Sequence, residues 1–122
     1  MSPAEEMQAC EEALLHTDFS SKVAALEKML TADFTEVSSS GVISTRQVVV
    51  NWLLGKDAAA RWRFNTLSVT ELTADLRLVL YHAQQIAPVP STSKGALHSS
   101  LWCYNGALQC WQLRFHQATK IL

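Results

Sequence analysis

His98-Ser-Ser-Leu-Trp-Cys-Tyr-Asn-Gly-Ala-Leu-Gln-Cys-Trp-Gln-Leu-Arg-Phe-His-Gln-Ala-Thr119 decides the fold of this chain. Asn105-Gly106 is a strong hairpin signal, because both residue types tolerate the positive φ of a type I′ turn. The second arm alternates, with Trp111, Leu113 and Phe115 on one face and Gln112, Arg114 and His116 on the other. That is a strand with one face on a core. A two-residue turn pairs Ser100 with Trp111 and puts Trp102 and Trp111 on the same face. Cys103 then pairs with Leu108 and Cys110 with Leu101, so the two thiols share a face without being opposite.

Working outward, Ser2-Pro3-Ala4-Glu5 reads as a helix start, with Ser2 as cap, Pro3 in the first turn and Glu5 three residues after the cap. Met7, Cys10, Ala13 and Leu14 repeat at helical spacing, so the first helix runs to about His16. Glu5, Glu6, Glu11 and Glu12 fall on other faces, as a solvated surface would. A second helix carries Val23, Leu26, Met29 and Leu30 and ends near Thr31. Residues 34–38 alternate like a strand, and Ser38-Ser-Ser-Gly41 turns it into a short return at Val42-Ile43. Thr45 caps a third helix, with Val48, Val49, Trp52 and Leu53 pointing inward and Gly55-Lys56-Asp57 stopping it. Two long strands follow over 62–73 and 76–87, joined at Ala74-Asp75. The Pro/Ser/Gly-rich loop 88–95 leads into the terminal hairpin. Helices first and a strand meander last argue α+β, with a curved antiparallel sheet packed on three helices of the N-terminal half.

Composition sets the class. At 122 residues the chain reads as one domain, 1–122, with 48% hydrophobic and 17% charged residues. The formal net charge of -1 and the lack of a basic run argue against nucleic acid and anionic lipid as partners. No apolar stretch approaches the roughly 20 residues of a membrane span, and the acidic N-terminus is unlike a secretory signal. Cys10, Cys103 and Cys110 have no metal-ligand spacing, and with the scattered His16, His82, His98 and His116 they make no metal site. Free thiols fit a cytoplasmic protein. Neither a phosphate loop nor a nucleophile elbow is present, and no cofactor is expected.

The element order, together with Ala32-Asp-Phe-Thr-Glu-Val-Ser-Ser-Ser-Gly41, Ser99-Ser-Leu-Trp102 and Trp111-Gln-Leu-Arg-Phe-His-Gln-Ala-Thr119, resembles the superfamily of nuclear transport factor 2, ketosteroid isomerase and polyketide cyclases. Within it, those three pieces resemble the family called domain of unknown function 4440. The resemblance spans nearly the whole chain and implies a cone-shaped α+β barrel. Its concave face and helices enclose a pocket, and its convex face often pairs with a second subunit. It also implies what is missing. The ketosteroid isomerase base is a carboxylate on the first strand, and Ser38 stands at about that position here. No Tyr lies in the first helix to act as an oxyanion donor, which argues against steroid-type isomerisation.

The candidate site residues follow from strand parity. Glu36 shares parity with Phe34, so it faces inward if Phe34 packs under the helices; the alternative is a strand-end acid paired with a residue such as Arg46. A carboxylate in an apolar pocket suits proton transfer. Tyr81 and His82 point to opposite faces. The stripe Leu76, Leu78 and Leu80 reads as the buried face, which carries His82 inward as an assisting base, while Tyr81 is expected to line the pocket. Phe115 and Gln117 follow Trp111 and Leu113 inward, and His116 goes to the convex side. Trp52, Trp102 and Trp111 bound or fill the cavity.

Three functions are expected from this set: a binding domain for a small apolar or aromatic molecule, a proton-transfer lyase or isomerase using Glu36 with His82 or Tyr81, or a protein-interaction domain with a vestigial pocket. Leu97, Leu101, Cys103, Leu108 and Cys110, with Gln112 and Arg114, make a convex face suited to a homodimer.

Overall fold

The computed structural model describes residues 1–122. Its elements are α1 (Pro3–His16), α2 (Val23–Lys28), β1 (Leu30–Val37), β2 (Ile43–Thr45), α3 (Arg46–Gly55), β3 (Arg61–Thr73), β4 (Leu76–Ala87), β5 (Ala96–Asn105) and β6 (Cys110–Lys120). The expected helix starts are present. Ser2 and Glu5 form a reciprocal capping box on α1, and Thr45 Oγ1 accepts from the Val48 amide at the start of α3. The second helix is shorter than its apolar stripe suggests: Met29 is its C-cap and Leu30 already belongs to β1.

The six strands form one curved, unclosed sheet in the order β2-β1-β6-β5-β4-β3. The pairing differs in one place from the all-antiparallel expectation. β1 lies beside β6 in parallel, with Glu36 opposite His116 and Val37 opposite Gln117. A parallel neighbour needs a long crossover, and here residues 38–109 supply it. The other four pairings are antiparallel. The helices pack on the concave face, where Met7, Leu26, Phe34, Val50, Val79 and Trp102 are buried in one core. No helix is long and apolar enough to cross a membrane.

The terminal hairpin turns two residues later than Asn-Gly implies. Asn105 pairs with Cys110, Tyr104 with Trp111 and Trp102 with Leu113, leaving the four-residue loop 106–109. Asn105 holds this loop with its side chain, because Oδ1 accepts from the amides of Ala107 and Leu108 at 3.0 Å each. The positive φ falls at Gln109 (53°). The register moves by an even number of residues, so Trp102 and Trp111 keep a common face.

A second irregularity has larger consequences. Leu101 pairs with Phe115 but Trp102 pairs with Leu113, so Arg114 is an extra residue on β6. A bulge of this kind inverts the in-out alternation beyond it. Phe115 and Gln117 therefore join Leu101 and Ser99 on the convex face, and His116 joins Ser100 on the concave face. The expected orientation of all three β6 residues is reversed.

The loop into β5 is set by one glycine. Gly95 has φ +84°, and a Cβ built there would lie 2.4 Å from the Ala83 carbonyl oxygen and 2.8 Å from His82 Nε2. Gly95→Ala is expected to destabilise the protein by about 3 kcal/mol. Gly106→Ala, where a Cβ meets open space, should cost under about 1 kcal/mol. Urea denaturation of both variants checks the contrast, and equal midpoints would contradict it.

Candidate functional site

Between α1, α3 and the concave face lies an open cavity of about 430 Å³. Its walls are mostly apolar and aromatic, with Phe34 from β1, Val49 and Leu53 from α3, Trp62 from β3 and Tyr81 from β4. Trp52 stands at the mouth, half exposed at 54%, with its ring 6.5 Å from that of Trp62. Trp62 is held from behind. Its amide donates to His16 Nε2 at 2.9 Å, and the two rings stack. Burial, with Arg61 nearby, lowers the His16 pKa, which keeps that nitrogen an acceptor.

Two polar groups break the apolar lining. The deeper one is centred on Glu11 of α1, buried to 3% exposure rather than solvated. Met7, Glu11 and Leu14 share one helical face, and that face packs on the sheet. Tyr81 Oη donates to Glu11 Oε1 at 2.7 Å, and Trp102 Nε1 donates to Oε2 at 2.7 Å. A buried carboxylate is tolerated only when its oxygens are satisfied, and two strands supply one donor each. Burial, then the Glu11 charge, raises the Tyr81 pKa well above its usual value, so the hydroxyl stays protonated as this donor.

The second group runs across three strands. Glu36 Oε2 meets His116 Nδ1 at 2.9 Å, and His116 Nε2 meets His98 Nδ1 at 2.9 Å. The His98 ring stacks on Tyr81, with centroids 4.8 Å apart and planes 3° from parallel. The network assigns the protons. A carboxylate only accepts, so His116 donates to Glu36 from Nδ1. One hydrogen lies between His116 Nε2 and His98 Nδ1, and His98 Nε2 has no protein partner. Burial, followed by the two neighbouring histidines His116 and His82, lowers the His98 pKa to about 4. His98 is thus neutral near pH 7. The three groups form a continuous hydrogen-bonded chain from His98 to Glu36.

The structure gathers some of the expected site residues and disperses others. Glu36, Trp52 and Tyr81 line the cavity. His82 does not. Val79, Tyr81 and Ala83 are the buried set on β4, while Leu80 is 45% exposed. The leucine stripe is therefore the convex face, and His82 bonds there to Asn65 and to the Lys94 carbonyl. Trp102 is fully buried beneath α1 and does not line the cavity. Trp111 sits near the hairpin tip against Tyr104 and under the Arg77 guanidinium, 4.2 Å from its ring centre. Phe115 and Gln117 are on the far side of the bulge. Arg46 does not pair with Glu36; it donates to the Thr31 and Glu27 carbonyls.

Glu11, His98 and His116 are the site residues that the pattern alone left out. For Glu11 the signal was its spacing with Met7 and Leu14. For His98 it was strand parity with Trp102, and for His116 only the bulge could have shown it. No group of three or more His, Cys, Asp or Glu side chains is arranged to hold a metal ion.

No family model matches the chain, and neither does any curated protein. Solved structures do match. An NTF2-like protein from Cytophaga hutchinsonii is 18% identical, with 99% of this chain and 100% of that one covered at a TM-score of 0.77. An NTF2-like protein of unknown function in nutrient uptake from Rhodospirillum rubrum is 18% identical over 100% of both chains, with a TM-score of 0.74. A CaMKII hub from S. rosetta is 14% identical over 99% and 98%, with a TM-score of 0.75. The chain has the NTF2-like fold, as its sequence suggested. The narrower likeness to the domain of unknown function 4440 family stays a resemblance.

His98 gives a stability test. Its folded pKa of about 4 lies below the ordinary 6.5, so the unfolded chain binds more protons between those values. Its contribution is complete above pH 6.5 and is lost as the pH falls through 4, a total on the order of 3 kcal/mol. Thermal melts across that window should show a shallower acid decline for His98→Gln than for the wild type. Parallel curves would refute the assignment.

Proposed function

We propose that this NTF2-like cone binds a small, mostly apolar molecule in its cavity. The observation that carries this is an open space with aromatic walls and a few polar groups, where Trp102 and Trp111 are withdrawn into other packing. Sites of this size and character hold small ligands with a few oriented polar contacts. A filled cavity would have favoured a purely structural or interaction role. Free thiols at Cys10, Cys103 and Cys110 are in keeping with a reducing, cytoplasmic setting.

A second reading, proton transfer, is favoured by the chain Glu36–His116–His98. His98 Nε2 would take a proton from a bound molecule, its Nδ1 proton would pass to His116 Nε2, and the imidazolium so formed would rest on Glu36. Glu36 then orients and charges the base rather than acting as the base itself. Fold likeness does not choose between these readings.

The homodimer remains part of this proposal. Rows such as Leu78–Leu101–Phe115 cross the convex face, and Leu80 and Leu97 are 45% and 54% exposed beside them. Uncharged apolar area of that kind marks an interface. Leu108 and Cys110 leave this set: both line a groove with Cys10 and Trp111 at the hairpin end. The fold shared with a CaMKII hub supports an assembling role.

Titration with 2-naphthol followed by calorimetry tests the cavity. One molecule per chain is expected, with Trp52→Ala weakening binding about tenfold at an unchanged melting temperature. The absence of saturable binding would remove the proposal. Light scattering tests the dimer: Leu101→Glu should yield monomers, and a monomeric wild type would end that part of the reading.

A further inference from the structure

The cavity's polar lining is one-sided. Its titratable residues are Glu11, Glu36, Tyr81, His98 and His116, with no Lys or Arg among them. The nearby basic side chains are occupied elsewhere. Arg46 is turned to the Thr31 and Glu27 carbonyls, Lys56 to the Thr17 carbonyl, and Arg61 to the Ala58 and Ala60 carbonyls. Arg77 pairs with Glu6 and Glu71, and Arg114 with Asp33.

The free charge is equally one-sided. Glu36 uses Oε2 on His116 and keeps Oε1 without a protein partner, and His98 Nε2 also has none. Of the lining hydroxyls, Tyr81 gives its proton to Glu11 and Ser38 shares one with Ser40, which leaves Ser44 as a neutral donor. The charged group the polar end offers to whatever enters is therefore the free oxygen of Glu36. Beside it stand the π-faces of Phe34, Trp52 and Trp62, which attract cations.

From this we infer that the cavity selects an organic ammonium ion with an apolar body, in preference to the alcohol or the carboxylate of the same skeleton. The inference rests on the cavity being a ligand site and adds the chemistry of the ligand. The ammonium N–H groups would donate to Glu36 Oε1 and His98 Nε2 while the body fills the aromatic walls. An alcohol has one donor and no charge to offer. A carboxylate would set acceptors against acceptors and add a like charge in a partly dry site, an arrangement that rejects a ligand strongly. The low proton affinity of His98 is in keeping with this, since near neutral pH its ring carries no competing positive charge.

The test is calorimetric titration of the purified protein near neutral pH with two matched series. One is 2-phenylethylamine, 2-phenylethanol and 3-phenylpropionate; the other is hexylamine, hexanol and heptanoate. In the series that fits, the ammonium should bind about tenfold more tightly than the alcohol and about a hundredfold more tightly than the carboxylate. Glu36→Gln should collapse the ammonium-to-alcohol ratio toward one, whereas Trp52→Ala should weaken both members alike. Melting temperatures confirm that both variants are folded, and raising the salt concentration on wild-type protein reads the same charge effect without a mutation. Binding of alcohol or carboxylate as tight as that of the ammonium, or an ammonium preference that survives Glu36→Gln, would overturn the inference while leaving the cavity a ligand site. No binding in either series would overturn both.

Discussion

Beyond the Leu101–Phe115 pair, strand β6 carries one residue more than its partner needs. That bulge at Arg114 is the constraint on which the rest of the site depends. Its side chain reaches across to β1, where Nε lies 3.3 Å from Asp33 Oδ2 and Nη1 meets the Asp33 carbonyl. β1 has its own irregularity at this level, between Leu30 and Thr35. With the parity of β6 inverted, His116 comes to the concave face beside Glu36 on one side and Ser100 on the other. Without the bulge, Phe115 would occupy the cavity and the acid would face an apolar ring. Bulges re-aim side chains in this way near functional sites.

The second fixed point is the carboxylate of Glu11. A helix carrying a buried charge cannot slide on the sheet, because both oxygens are tied to donors on different strands. The same contacts define what Tyr81 can do. Its hydroxyl is committed to Glu11, so its ring, rather than its proton, is what the cavity and His98 meet. The deep acid thus acts as a support, and the shallower acid, Glu36, is the one with an oxygen to spare.

The two faces of the sheet divide the molecule's chemistry. The concave face holds the aromatic cavity and both carboxylates that line it. The convex face is apolar and uncharged through its centre, and His82 there is absorbed in holding the loop before β5 through the Lys94 carbonyl. A shared NTF2-like fold fixes this division but not its use, since a fold of this kind is a frame on which sites are built.

The sequence by itself determined the helix caps of α1 and α3, the order of elements along the chain, the short β3–β4 turn at Ala74-Asp75 and the α+β class. Those features depend on neighbours a few residues apart, and their signals are local. It also placed Glu36, Trp52 and Tyr81 within reach of one cavity. The tertiary structure decided which face of β4 is inside. Leu76, Leu78 and Leu80 are as apolar as Val79, Tyr81 and Ala83, and only packing under α1 separates the two sets. It also decided the four-residue hairpin loop, the parallel β1–β6 pairing and the bulge. A single extra residue exchanges the faces of His116 and Phe115 without changing the composition of the strand. Strand alternation fixes which residues go together; it cannot say which side is in, or where the count slips by one, because that is set by a partner strand distant in sequence.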